Sequence, residues 1–165
     1  LPQPNKLPED TYKIEIADEQ SLPFDGTRLV STVARVLADH DLNHSEISIA
    51  VVDDPAIRVI NKQYLDHDYA TDVISFVLDF DEAASCLTGQ LVVSTDTASN
   101  MAGQIGGTME DELLLYVIHG MLHLVGFDDK DPDSAAEMRE QERHYLALHG
   151  VEHRWQGTNP DGEPH

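Results

Sequence analysis

The segment 117–129 constrains this chain more than any other, because it sets two histidines four positions apart in an apolar helical run. Side chains at positions i and i+4 lie above one another on one helix face, so the imidazoles of His119 and His123 can reach the same ion. A helix alone offers two ligands. Gly126 suits the turn that brings a third ligand back. The segment therefore predicts a metal site.

Two aspartates directly after this turn are the candidates for the third ligand. Zinc accepts imidazole nitrogen and carboxylate oxygen, and a catalytic zinc site keeps three protein ligands and one open position. We predict that one Zn²⁺ is held by His119, His123 and Asp129. Asp128, one residue closer to the helix, is the alternative third ligand.

The residue after the first histidine argues against peptide hydrolysis of the zincin type. Metallopeptidases of the zincin type place a glutamate there as general base, whereas this chain has Gly120. A metal held by His119 and His123 can still activate a water molecule against a phosphodiester, so we assign the two histidines a catalytic role through that water. Because glycine inside a helix costs about 1 kcal/mol relative to alanine, Gly120 also indicates a close approach to the backbone.

A second pair of histidines, His149 and His153, has the same spacing. Gly150 lies between them and is expected to end the helix, so the two rings need not share a face. We therefore expect both to be surface histidines.

The charge balance is strongly acidic. The 165 residues include 10 Lys and Arg against 31 Asp and Glu, a formal net charge of −21. Nucleic-acid-binding proteins usually carry a basic patch, so this chain, taken as a whole, would repel RNA. The alternative explanation of the acidic charge is an adaptation for solubility. The single cysteine, Cys86, excludes an intrachain disulfide and predicts the reducing cytoplasm. No apolar run reaches the roughly 18 residues of a membrane span.

Hydrophobic periodicity predicts a single α+β domain over residues 1–165, with polar tails at about 1–10 and 154–165. We expect a small mixed four-stranded sheet packed with about five helices, one of them a zincin-like metal-bearing helix. Ser134 and Glu137 have the spacing of a capping box for the last helix. The predicted strands are 12–17, 45–52, 72–78 and 89–94, the predicted helices are 27–40, 53–64, 95–103, 109–125 and 131–148, and 79–85 is an acidic loop.

Three segments together resemble the YbeY family of bacterial rRNA-maturation endoribonucleases. They are the helix motif from His119 to Asp128, the stretch from Val51 to Phe76 with its Thr-Asp-Val-Ile-Ser-Phe ending, and 89–94. The resemblance implies a compact α+β fold, zinc on the long helix, and processing of the 3′ end of small-subunit rRNA. It implies rRNA and the small ribosomal subunit as partners, with no DNA or membrane, and places Asp72 and Ser75 near the cleft as candidate catalytic residues.

The chain departs from the family at four positions. Asp129 stands where the third ligand is ordinarily histidine, and Leu65 stands where an arginine is thought to meet RNA phosphate. Gln90 replaces an aspartate and Ala70 a proline. These changes keep two other hypotheses open. One is a catalytically impaired ribosome-associated protein that retains its ion structurally, and the other is a metal-dependent hydrolase of a non-nucleic substrate.

Overall fold

The computed structural model describes residues 11–153, so the predicted tails lie outside the described residues. This range contains four strands and five helices, and three of the helices follow one another after the last strand. In chain order they are β1 (Lys13–Asp18), α1 (Thr27–Asp39), β2 (Glu46–Val52), α2 (Asp54–Leu65), β3 (Val73–Asp81), β4 (Cys86–Ser94), α3 (Thr95–Ile105), α4 (Met109–Leu124) and α5 (Pro132–Ala147).

The four strands form one mixed sheet in the order β1-β2-β4-β3. The pairs β1–β2 and β2–β4 are parallel, whereas β3 runs antiparallel to β4 and forms an edge. The α+β fold with a small mixed sheet and five helices is therefore confirmed.

Helix α4 is the centre of the main core. Most of its residues are buried, and it packs against α1, α3, α5, β3 and β4. A helix that is apolar on all sides must be surrounded by protein, and each fully buried Leu or Ile contributes about 1.5–3 kcal/mol. Helix α2 covers the other face of the sheet through a smaller cluster formed by Val52, Ile57, Ile74 and Val92. The helix predicted to carry the metal ligands is therefore the helix at the centre of the core in the described residues.

Two local predictions were wrong. Residues 79–85 do not form a loop, because β3 continues to Asp81 and β4 begins at Cys86, so only 82–85 connect them. The side chains of β3 beyond Phe76 are exposed, and Asp79 and Asp81 give this end of the strand the acidic composition of a loop. The last helix is capped by Asp131, whose carboxylate accepts a hydrogen bond from the Ser134 N–H at 2.8 Å. Ser134 is therefore inside the helix and does not cap it.

No helix within residues 11–153 has both the length and the apolar character needed to cross a membrane.

Candidate metal centre

The two ends of α4 are fixed by local hydrogen bonds. Thr108 caps the first turn, where its hydroxyl oxygen accepts a hydrogen bond from the Asp111 N–H at 3.1 Å. After the last turn, Gly126 adopts φ +109°, a conformation that other residues rarely reach. The Phe127 N–H then donates to the Leu122 carbonyl at 2.9 Å. The chain thus folds back over the end of α4.

This turn brings His119, His123 and Asp129 together, and one ligand atom from each lies within 4.8 Å of the others. The Nε2 atoms of His119 and His123 are 3.2 Å apart. The Asp129 Oδ2 lies 3.9 Å from the His119 Nε2. Ligands of tetrahedral zinc at about 2.0–2.2 Å from the ion are separated by about 3.3–3.6 Å. The donor types suit a single metal ion, and the two distances lie near the spacing that zinc requires.

Asp128, the alternative third ligand, is engaged elsewhere. Its Oδ1 accepts a hydrogen bond from the backbone N–H of Lys130 at 3.1 Å. This is the pattern of an Asx turn, in which the side chain stabilises the local backbone. Of the two aspartates, Asp129 is the one that belongs to the group of potential ligands found among residues 11–153.

The site is closed on one side and open on the other. His119 is buried, while His123 and Asp129 are only half-buried. Burial lowers the pKa of His123, and the neighbouring His119 lowers it further, against the opposing effect of Asp129. A low pKa favours the neutral imidazole, which is the form that binds a metal.

Glu142 of α5 lies directly behind His119 and was not predicted as a site residue. Its Oε2 accepts a hydrogen bond from the His119 Nδ1 at 2.7 Å, and its Oε1 accepts one from the His153 Nε2 at 2.8 Å. Burial by itself raises the pKa of Glu142, but the hydrogen bonds to both histidines outweigh it and lower the pKa to about 2. The sequence feature that could have identified Glu142 is its position between Met138 and Tyr145, in the apolar stripe of an otherwise polar helix.

The expectation that His149 and His153 are surface residues was wrong for His153, and His149 is only partly exposed. The His153 side chain is 1% exposed, because the turn at Gly150 returns the chain onto α5. His149 is half-buried, and its Nε2 lies 2.8 Å from the Thr32 hydroxyl of α1. The two rings therefore tie the segment after α5 to different helices, His149 to α1 and His153 to α5.

Asp72 lies at the start of β3, outside the group of three potential ligands. Its carboxylate accepts a hydrogen bond from the Val73 N–H at 2.7 Å, and its backbone oxygen accepts one from the Ser94 N–H at 3.1 Å. Burial, followed by the charges of Glu112 and Asp72, raises the pKa of Tyr116 on α4. Asp72 is thus close to α4 about one helical turn before His119.

Ser75 lies on the face of the sheet that α4 covers. Alternation along β3 puts Ser75 on the same face as Val73. The Val73 Cγ2 would lie 3.1 Å from a Cβ built at Gly120. Ser75 is half-buried there, below the helix that carries both histidines. The structure thus places Ser75, unlike Asp72, on the sheet surface beneath the second half of α4.

Three of the four positions that depart from the family are not members of the group formed by His119, His123 and Asp129. Leu65 is the last residue of α2 and is 46% exposed. Gln90 pairs with Phe76 across β4 and β3, and alternation turns it to the face opposite Leu91, which packs under α4. Ala70 packs against the small cluster beneath α2. Asp129 is therefore the one departure within the candidate metal group.

A two-histidine helix with a returning carboxylate, set on a small mixed sheet, defines a candidate mononuclear metal protein. A family model described as Endoribonuclease YbeY matches residues 13–150. The chain therefore belongs to the YbeY family, as the sequence resemblance predicted.

Relatives support the same assignment. The Endoribonuclease YbeY of Salinibacter ruber is 36% identical over 135 residues, which cover 78% of this chain and 86% of that protein. The Endoribonuclease YbeY of Rhodopirellula baltica is 37% identical over 128 residues, which cover 76% of this chain and 65% of that protein. The solution structure of TM1509 from Thermotoga maritima aligns with a TM-score of 0.53 and 26% identity, covering 82% of this chain and 86% of that one.

Proposed function

We propose that this protein is a zinc-dependent endoribonuclease that cleaves single-stranded RNA and acts in maturation of the 3′ end of small-subunit rRNA. Its partners are then rRNA and the small ribosomal subunit, in the cytoplasm. The observation that carries the proposal is the convergence of His119, His123 and Asp129 at zinc-like spacing. Membership of a family of endoribonucleases supports the substrate class.

In this proposal, His119 and His123 hold the ion through Nε2, and Asp129 holds it through a carboxylate oxygen. The chemistry that zinc supplies when bound is Lewis-acid activation of water and of a phosphoryl oxygen. The half-buried His123 and Asp129 leave the open side of the site to the RNA phosphate. Ser75, on the sheet below α4, is a candidate for positioning the RNA, and Asp72 is a weaker one because its carboxylate stabilises the start of β3.

The acidic charge of the chain bears on how RNA is bound. With 10 basic residues against 31 acidic ones, the chain as a whole repels RNA, so phosphate contacts are expected to supply less of the affinity than in a basic protein. Stacking and base contacts must supply most of the binding energy. This favours single-stranded RNA, whose bases are accessible, over duplex RNA.

Cleavage of a defined RNA tests the proposal. The zinc-loaded chain is incubated with a single-stranded fragment spanning the 3′ end of small-subunit rRNA, beside the same sequence in duplex form and beside His119→Ala. We expect cleavage of the single strand that is lost in the variant. Stoichiometric zinc without any cleavage would contradict the nuclease assignment.

A catalytically impaired ribosome-associated metalloprotein is the second candidate. The surroundings of Leu65 favour it, because the nearby cations Arg58 and Lys62 both lie within ion-pair distance of Asp68, at 2.9 and 3.9 Å. Arg58 and Lys62 each have an acidic partner, and Leu65 itself has no charge with which to meet a phosphate. Zinc binding and association with small ribosomal subunits, with no RNA cleavage, is the result expected for this candidate.

A further inference from the structure

Three side chains from separate parts of the chain form one buried hydrogen-bonded row behind the candidate metal site. His119 on α4, Glu142 on α5 and His153 beyond α5 are joined by contacts of 2.7 and 2.8 Å. Their side chains are 8%, 6% and 1% exposed. A buried ionised carboxylate needs such partners, and both of its oxygens have one here.

The row fixes which nitrogen of His119 carries the proton. A carboxylate can only accept hydrogen bonds, so the His119 Nδ1 must be the donor in this contact. In a neutral imidazole, a proton on Nδ1 leaves a lone pair on Nε2. That Nε2 is the atom that faces His123 at 3.2 Å. Glu142 thus orients the ring with its free lone pair towards the site.

His153 holds Glu142 from the opposite side. After α5, the Gly150 N–H donates to the Ala147 carbonyl at 3.0 Å, and the Val151 N–H donates to the Leu146 carbonyl at 3.0 Å. With Gly150 at φ +70°, this turn directs the chain back along α5. His153 then reaches the Glu142 Oε1 from eleven residues further along the chain.

We propose that Glu142 and His153 are positioning residues for the metal site. Glu142 keeps His119 in the Nδ1–H tautomer, and His153 keeps the Glu142 carboxylate in the orientation that does so. The proposal rests on the proposed metal site, but not on RNA cleavage. It makes zinc affinity depend on a residue that follows the last helix and does not touch the ion. Loss of such a supporting partner typically lowers metal affinity by roughly 10–100-fold.

The first test reads the tautomer of His119 in metal-free protein. Long-range ¹H–¹⁵N spectra of the full chain at pH 8 distinguish an Nδ1–H from an Nε2–H imidazole. We expect His119 to be Nδ1–H in the wild type, and to be a mixture of both tautomers or Nε2–H in Glu142→Leu, which has no acceptor for the Nδ1–H. An Nε2–H tautomer in the wild type, or no change in the variant, would overturn the proposal.

The second test measures zinc affinity by competition with a chelator of known affinity. We expect Glu142→Leu to lose roughly 10–100-fold and His153→Leu to lose roughly 10-fold. His153→Gln should stay within about 3-fold of the wild type, because an amide N–H can replace the imidazole donor. His149→Gln is the matched control, because His149 contacts Thr32 and is not part of the row.

The pair of substitutions at position 153 protects the test against misfolding. Circular dichroism and thermal melting are recorded for each variant to check that it is folded. A folded His153→Leu variant that binds zinc weakly, beside a His153→Gln variant that binds it normally, shows that the lost hydrogen bond causes the effect. Equal affinities of His153→Leu and the wild type would refute the role of His153. A wild-type chain that binds no zinc would overturn both this proposal and the metal site. A chain that binds zinc without cleaving RNA would overturn the nuclease assignment alone.

Discussion

Gly120 of α4 lies directly over Leu91 of β4. A Cβ atom at position 120 would fall 2.7 Å from the Leu91 Cδ2 and 3.1 Å from the Val73 Cγ2. Contacts under 3.0 Å are sterically forbidden, and Leu91 is fully buried with little room to move. The glycine therefore lets the metal-bearing helix approach the sheet closely, which is the close approach that its mid-helix position predicted.

Replacing Gly120 by alanine is expected to destabilise the protein. Overpacking a core costs typically about 1–3 kcal/mol, while the gain in helix propensity is about 1 kcal/mol. We expect the free energy of unfolding to fall by about 1 kcal/mol in urea titrations of metal-free protein. Since position 120 adjoins His119, a shift of α4 should also lower zinc affinity.

Gly103 provides the matched control. It lies in α3, and a Cβ at this position would have no atom within 4 Å. Gly103→Ala should therefore raise the free energy of unfolding by up to about 1 kcal/mol. If both substitutions stabilise the protein equally, the close approach at Gly120 has no energetic consequence.

The metal helix could be predicted because its signals are local. Two histidines at helical spacing, an apolar run and a terminal glycine all lie within one short segment, and Asp129 follows within a single turn. The pairing order β1-β2-β4-β3 and the packing of α2 on the opposite face depend on contacts between distant segments. Periodicity predicted the strands themselves, because most of their buried side chains alternate.

Glu142 and His153 could not be predicted in the same way. Glu142 lies 23 residues after His119, and a glutamate in a charged helix is ordinarily a solvent-facing residue. His153 becomes buried only because Gly150 turns the chain back onto α5. The row therefore exists only once α5 has packed on α4, and the apolar stripe of α5 indicates that Glu142 is buried but not which residues it contacts.

The choice of third ligand leads to a prediction for the two aspartates. Asp129→Ala should lower zinc affinity by more than the roughly 10–100-fold that loss of a supporting partner costs, because it removes a ligand. Asp128→Ala should have a much smaller effect, since Asp128 bonds to the Lys130 N–H. Both affinities are measured by chelator competition.

Histidine at position 129 is the informative second substitution. Imidazole is also a good zinc ligand, so Asp129→His should retain tight binding and shift the absorption bands of the cobalt-substituted protein. Stronger loss from Asp128→Ala than from Asp129→Ala would assign the third ligand to Asp128 instead.

The contact between His149 and Thr32 predicts a pH-dependent stability. Burial, followed by the charge of Arg28, lowers the pKa of His149 in the folded chain below its usual 6.5. As the pH falls below 6.5, the unfolded chain takes up this proton first, so the folded state loses stability until its own pKa is passed. Above pH 6.5 this contribution to folding is fully retained.

His149→Gln should remove this dependence while keeping a hydrogen bond to Thr32. The wild type should lose stability relative to the variant between pH 7.5 and pH 5, as measured by urea unfolding of metal-free protein. His144→Gln, at an exposed histidine within α5, is the control. A constant difference between the wild type and His149→Gln across this range would contradict the assignment.

An arginine at position 65 should strengthen RNA binding if α2 borders the RNA path. Leu65 is 46% exposed at the last position of α2, where a cation is favoured by the helix dipole and nothing buried is displaced. Each new contact with a phosphate of single-stranded RNA steepens the dependence of log affinity on log salt by about 0.7. We expect Leu65→Arg to bind a single-stranded rRNA fragment more tightly at low salt, with a slope steeper by about this amount.

Leu148→Arg separates a local contact from the change in net charge. Leu148 is also exposed, at 56%, and directly follows α5. The two variants have the same net charge, so general repulsion from RNA decreases equally in both. Fluorescence anisotropy across a salt series should show the steeper slope for Leu65→Arg alone. Because long-range repulsion is screened within about 10 Å at 0.1 M salt, the difference between them should persist at moderate salt. Identical curves would mean that position 65 lies away from bound RNA.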